Sequence, residues 1–396
     1  MTITTAPVAA PRAAGPTPPA RAPHRPPVPG RVVLLVPAGL CLLAGLDAAL
    51  VLLGVPAPVS TDRLPDVHGM LLVFGFVGTL VALERAVALG RRPGFAAPAL
   101  LGAGGLLLVS PAPVAVGQWA LLLGTAALVG VYVPLWRRQQ DDAVLVQAFG
   151  AVLGAGALAL WLGGVPVSHL LPWLAGFVVL TIGGERLELA RIAMGPDAGT
   201  RLLLLSTGLV AGVVAALLWP AVGYPLLGLS LLVLVGWLAG HDVARRTIRT
   251  SGRTSGRTSG RTSGLTRFMA ASMLAGYAWL GVAGAVWALA GASYDGPAYD
   301  VVVHAVFLGF TLSMIMAHAP VILPAVLRRP LPYHPALLAP AALLQVSLAI
   351  RLWCGDGYRL DAARTIGGVL NVVALLGFVV VAAWSATRAR GTEAGR

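Results

Sequence analysis

Long runs of Leu, Val, Ala and Gly alternate along the chain with short breaks rich in Arg, Pro and Asp. Most runs reach about 20 residues, the length an α-helix needs to cross a hydrocarbon layer about 30 Å thick. The pattern predicts spans at 32–54, 67–89, 94–110, 114–136, 142–163, 169–188, 200–219, 222–240, 267–291, 299–327, 334–353 and 361–386. A helix closes its own backbone hydrogen bonds in lipid. The runs are also about twice as long as an outer-membrane strand, which excludes a β-barrel. The fold class expected is an all-α polytopic membrane protein of about 12 transmembrane helices.

The polar stretches set the remaining organisation. Residues 1–30 are rich in Pro and Ala, contain no apolar run or secretory signal, and read as a disordered cytoplasmic tail. Residues 31–390 read as a single transmembrane domain. Residues 241–266 read as a flexible cytoplasmic loop, because four consecutive Arg-Thr-Ser-Gly copies begin at Arg249. Such a basic loop also suits contact with anionic headgroups.

Composition agrees with a bilayer as solvent: 57% of residues are hydrophobic and 11% charged, against about a quarter charged in soluble domains. The net charge of +13 would suit a nucleic-acid binder, but its position argues otherwise. With the N-terminus inside, only Arg63, Arg351, Arg359 and Arg364 of the 28 Arg fall on the outer side. That asymmetry follows the positive-inside rule and requires an even number of spans. The partner expected is therefore a lipid bilayer, with no nucleic acid, in the cell (plasma) membrane and with both termini cytoplasmic. Cys41 and Cys354 are the two cysteines, and neither sits in a Cys-x-x-Cys pair, so no disulfide framework or zinc ribbon is expected.

An internal repeat is written across the spans. His68, Gly75-Phe76 and Glu84-Arg85 recur at the same spacing as His169, Gly176-Phe177 and Glu185-Arg186. The tenth span carries a looser copy, in which His304 precedes Gly309-Phe310 and His318 stands in place of the Glu. Because these are spans two, six and ten, the chain reads as three pseudo-repeated four-helix units, at about 31–136, 142–240 and 267–386.

Four of the seven His fall in or beside spans: His68, His169, His304 and His318. Intramembrane imidazole is costly, and it is the commonest metal ligand and a natural axial ligand of heme iron. Two His on facing helices at equal depth can clamp a heme, and His68 with His304 fits that arrangement. Gly75, seven residues beyond His68, falls on nearly the same helix face and leaves room either for a flat macrocycle or for a close neighbour helix. His169, His318, Glu84 and Glu185 are candidates for metal binding, the last two also for a proton relay. Interhelical hydrogen bonding is the plainer reading of each. Met314 and Met316 beside His318 would suit copper, although Met in such helices mostly packs. Asp47 is an acid in the first span with no obvious partner.

His68-Gly69-Met70, followed by Phe74-Gly75-Phe76, resembles the second helix of the heme-copper oxidase subunit I superfamily. Twelve spans in three units, with ligands on spans two, six and ten, look like that superfamily as well. The tenth span, HAVFLGFTLSMIMAHAP, is more similar to the NnrS-like branch, which is linked to heme and copper binding and to nitric oxide stress. The resemblance implies a heme-copper-oxidase-like fold, with His68 and His304 as the axial pair of a low-spin heme b. It also implies a role in nitric oxide tolerance or electron transfer, the latter with an electron-transfer partner. The departures are specific. The oxidases carry a second tenth-span His two residues from the first, where this chain has Val302 and Val306. The seventh span has no His, and no Tyr follows His169 at helical spacing. A complete oxidase centre is therefore not expected. A secondary transporter of a small solute or ion is the alternative, since internal repeats are common there too.

Overall fold

In a computed structural model, residues 29–251, 260–327 and 331–394 are described. Of the tail expected at 1–30, residues 1–28 lie outside them and 29–30 open the first helix; of the repeats, residues 252–259 lie outside them. Among the described residues every regular element is helical, and 12 helices are long and apolar enough to span a membrane. They are α1 (Val33–Leu52), α2 (Arg63–Leu89), α3 (Arg92–Val109), α4 (Val114–Gln139), α5 (Asp142–Leu162) and α6 (Val167–Met194). The second half contains α7 (Ala198–Leu218), α8 (Pro220–His241), α9 (Gly264–Ala290), α10 (Gly296–Val326), α11 (Pro335–Gly357) and α12 (Asp361–Arg388).

The three repeat-bearing helices form the inside of the bundle. Their apolar windows are 72% (α2), 78% (α6) and 61% (α10) buried, whereas α5 reaches 56% and the others 44% or less. Consecutive helices pack side by side within each group of four, and α1 meets α12, so the outer helices close around the inner three. The outer faces of α1, α4, α7, α8 and α12 expose large apolar side chains such as Leu43, Leu123, Leu204, Leu229 and Val380. In a bilayer those faces lose nothing, because lipid is as apolar as they are.

Besides short 3₁₀ turns that open α3, α6 and α11, three longer stretches depart from α geometry. Leu71–Gly78 of α2, Ala305–Leu312 of α10 and Ile350–Gly357 of α11 wind as π-helix, with i→i+5 hydrogen bonds. Such widened turns are uncommon and gather at functional sites. The expected loop at 241–266 is shorter than its composition suggests. Val243–Ser251 forms a helix after Asp242, whose side chain accepts from the Ala244 backbone N–H at 3.0 Å. The next helix already begins at Gly260.

Candidate functional site

The outer candidates divide cleanly. His68 and His304 line one cavity, at the end of the bundle opposite the cluster of Arg137, Arg138 and Arg186. α2 brings in His68 just after the α1–α2 loop, and α10 brings in His304 at the equivalent depth. The Nδ1 of His68 lies 2.8 Å from the Gly45 carbonyl oxygen, and that of His304 lies 2.9 Å from the Asp300 carbonyl oxygen. A carbonyl oxygen only accepts, so Nδ1 is a protonated nitrogen in both rings, and in the neutral imidazole Nε2 then keeps its lone pair. Histidines that bind metals are usually oriented this way, through a hydrogen bond from the other ring nitrogen.

The remaining wall is apolar with a charged rim. The cavity has a volume of about 110 Å³ and an open mouth, smaller than the roughly 300–1,000 Å³ of most small-molecule and cofactor pockets, so a bulky ligand would have to part its aliphatic walls. Leu72, Phe76, Leu174, Phe307 and Leu375 face it. A Cβ placed on Gly69 would meet nothing within 4 Å, so this glycine keeps one wall open. Arg351 closes the rim from α11. Its Nε lies 3.2 Å from Asp300 Oδ2, and its Nη2 lies 3.1 and 3.0 Å from the two Asp300 oxygens. Asp300 Oδ1 is also 3.3 Å from His304 Nδ1, so one aspartate braces both an imidazole and a guanidinium. The three π stretches supply the walls beneath His68 and His304 and carry Arg351.

The expected role of Gly75 is divided. A Cβ there would come 2.9 Å from Cys41 Sγ and 3.3 Å from the Gly105 Cα, so Gly75 serves helix approach and does not face the cavity. The i→i+5 winding of Leu71–Gly78 ends the 3.6-residue stripe that would have carried it round. Gly69 has the open wall instead. His169 is exposed and stacks on Tyr294 with ring centroids 4.0 Å apart, away from the other two His. Asp47 Oδ2 accepts from the Val59 N–H at 3.0 Å and holds the α1–α2 loop, while its Oδ1 is buried without a partner.

At the Arg-rich end the candidates enter two networks. His318 Nδ1 is 2.7 Å from the Met314 carbonyl oxygen and Nε2 is 2.9 Å from Arg186 Nη1. One nitrogen donates and the other accepts, so His318 has no lone pair left for a metal. Arg186 also forks onto Asp242, through Nε at 3.0 Å and Nη2 at 2.9 Å, and Tyr277 donates to the same carboxylate at 2.7 Å. Met314 and Met316 are each 1% exposed and pack in the core. Glu84 and Glu185 belong to the second network, where Arg85 pairs with Glu84 and, at 2.8 Å, with Glu188. A guanidinium lodged among the carboxylates opposes a metal cation there. Among the described residues no three His, Cys, Asp or Glu side chains converge on a point that suits a metal ion. A site with two imidazoles facing one cavity is a different arrangement and needs no third protein ligand.

Arg351 and Asp300 were not singled out from the sequence as site residues. The signal was present, since both are ionisable groups inside apolar spans and Asp300 lies four residues before His304.

Residues 31–387 match the family described as a domain of unknown function, DUF8744, and the chain belongs to that family. No curated protein and no solved structure shows significant similarity to it.

Proposed function

We propose that this membrane protein binds a b-type heme between α2 and α10, with His68 and His304 as axial ligands, and serves electron transfer or nitric oxide tolerance. One observation carries the reading. Two imidazoles from separate repeats face the same apolar cavity, each with Nδ1 engaged by a backbone carbonyl and Nε2 left free. The wall suits a flat, largely apolar macrocycle with acidic edges. Gly69 leaves room for the ring face, Leu72 and Phe307 cover it, and Arg351 offers a cation to carboxylates at the rim. The Nη1 of Arg351 is not used by Asp300 and lies on the side of Gly368, where a Cβ would come within 2.7 Å of it.

Heme, when bound, supplies one-electron chemistry. The protein's part is to fix both imidazole planes, exclude water with aliphatic walls, and set the charge beside His304 through Asp300. A heme held by both His68 and His304 would supply electron transfer or sensing and not oxygen reduction. The likeness to the NnrS-like branch supports this reading through His68 and His304. Copper has weaker support, since His318 is engaged by Arg186 and Met314. The cavity also sits toward one end of the bundle, whereas transporters usually hold substrate near the midplane. The Arg distribution supports a cytoplasmic side for both termini and the Glu–Arg pairs, in a membrane read as the plasma membrane.

The test is a reduced-minus-oxidised absorption spectrum of the purified full chain from heme-replete cells. A b-type spectrum is expected, absent from His68→Ala and His304→Ala and kept in His169→Ala and His334→Ala. Gly69→Phe should lose the pigment while folding normally, because the new ring enters open space. A colourless wild-type preparation that takes up no added heme overturns the reading.

A further inference from the structure

We propose that the polar cluster among α2, α4, α5 and α6 at the Arg-rich end is a hydrated proton-binding site, in which Glu185 holds an exchangeable proton and internal water joins it to Tyr132.

Charge and pairing both lead there. Glu84, Glu185 and Glu188 surround the Arg85 guanidinium, and Arg186 is a second, weaker-acting cation within electrostatic reach of Glu185. Arg85 pairs with Glu84 and Glu188, leaving Glu185 without a hydrogen-bonded cation. Arg186, next in the chain, is turned away onto Asp242 and His318, and Arg191 pairs with Asp141. The Glu185 Oε1 is buried with no partner. An ionised carboxylate so placed is far costlier than a neutral one, so the proton belongs on Glu185.

The surroundings are polar but unpaired. Tyr132, 1% exposed, has a buried hydroxyl with no partner, and it lies within electrostatic reach of Arg85 and Glu185. Gln147, fully buried, gives Nε2 to Glu188 at 3.2 Å and leaves Oε1 unpaired. Thr181, one helical turn above Glu185, has an unpaired hydroxyl, and Arg85 Nε is unpaired too. So many orphaned polar atoms in one low-dielectric place are not left bare in native proteins, and ordered water is the usual partner. The neighbouring Arg186–Asp242–Tyr277–His318 network is the control. Built at the same end of the bundle from Arg, Asp, Tyr and His, it leaves none of its side-chain polar atoms among the buried unpaired ones.

The cluster also has a mouth. The Glu84 and Glu188 side chains are 22% and 33% exposed, while Tyr132, Gln147 and Thr181 lie inside. In the exchange step the Glu185 O–H bond breaks, its electron pair stays on the carboxylate, and the proton passes to water as hydronium. The hydronium leaves past Glu188 toward the aqueous face, and uptake is the reverse. Arg85 is the cation that steadies the carboxylate left behind.

Infrared spectroscopy of the full chain in nanodiscs at neutral pH tests this, with or without heme. The wild type is expected to show the carbonyl stretch of a protonated carboxylic acid, shifted on transfer to heavy water and missing in Glu185→Gln. Tyr132→Phe should keep the band but move its frequency, because one end of the water bridge is lost. A wild type without the band, or Glu185→Gln with the same band, overturns the proposal. If Glu185→Gln does not fold, the other two arms decide: a band indifferent to both heavy water and Tyr132→Phe overturns it. Loss of the band on adding sodium chloride would mark a cation site and overturn it as well.

Discussion

At the residue scale the cavity is defined by which nitrogen of each imidazole is free. His68 and His304 are paired by two backbone carbonyls that sequence spacing does not reveal, because Gly45 is 23 residues from His68. Their coming together was legible, since costly residues at matched repeat positions have few other reasons to exist. His169 was equally prominent in sequence, yet it stacks on Tyr294 outside the cavity. Repeat position gave its depth and not its neighbours. Asp300 supplies a residue-scale prediction. Its carboxylate faces Arg351, whose side chain is 8% exposed. Asp300→Asn takes the nearest anion from that guanidinium, leaving Asp356 within electrostatic reach, and breaking a buried pair on one side typically costs about 3–5 kcal/mol. Because the Asp300 side chain is 15% exposed, the lower end, about 3 kcal/mol, is expected. The backbone carbonyl that holds His304 survives this change. Denaturation in detergent should therefore show a marked loss of stability, while any heme spectrum persists at low temperature.

At the scale of elements, the spans were readable because about 20 apolar residues in a row have one stable solution in lipid. The equivalence of α2, α6 and α10 was readable from the repeat, whereas their inward position comes from their higher burial. What the 3.6-residue pattern does not carry is the winding of Leu71–Gly78, Ala305–Leu312 and Ile350–Gly357. An i→i+5 turn holds one residue more than its α counterpart, and nothing in Leu-Leu-Val-Phe-Gly-Phe-Val-Gly announces it. Its effect is nevertheless concrete: it aligns His68 with the cavity while Gly75 still meets Gly105. Removing one residue from that stretch, for example Val73, takes out the residue the widened turn holds in excess, so α2 should relax to ordinary α-helix with His68 near its present facing. The expected outcome is a membrane-inserted protein that keeps its heme spectrum, checked by membrane fractionation alongside absorption. Loss of the spectrum in an inserted deletion variant would show that the shape of the π turn, beyond its residue count, positions His68.

For the whole molecule, the two ends of the bundle differ in chemistry. One end has an apolar cavity with two free imidazole nitrogens and a single rim cation. The other has carboxylates and guanidiniums in two buried networks, ringed by Arg137, Arg138, Arg191 and Arg201. Three copies of one four-helix unit, as the sequence repeat suggests, would account for the overall layout, and divergence at single positions for the asymmetry. His318 in place of a Glu gives a paired network, and Glu185 in the preceding copy gives an unpaired one. An even number of spans puts both termini on one face, and Arg at the cytoplasmic side of short loops decides which face that is. Each such Arg near an anionic leaflet is worth about 1 kcal/mol, so so lopsided a distribution leaves little room for the inverted topology. Reporter fusions test it directly. Green fluorescent protein on the C-terminus should fluoresce and alkaline phosphatase there should be inactive, with the reverse for fusions in the Arg359–Leu360 turn. An active C-terminal phosphatase would invert the molecule, placing the imidazole pair toward the cytoplasm and the proton-binding cluster toward the outside. That inversion would remove the basis for uptake of cytoplasmic protons while leaving both sites chemically intact.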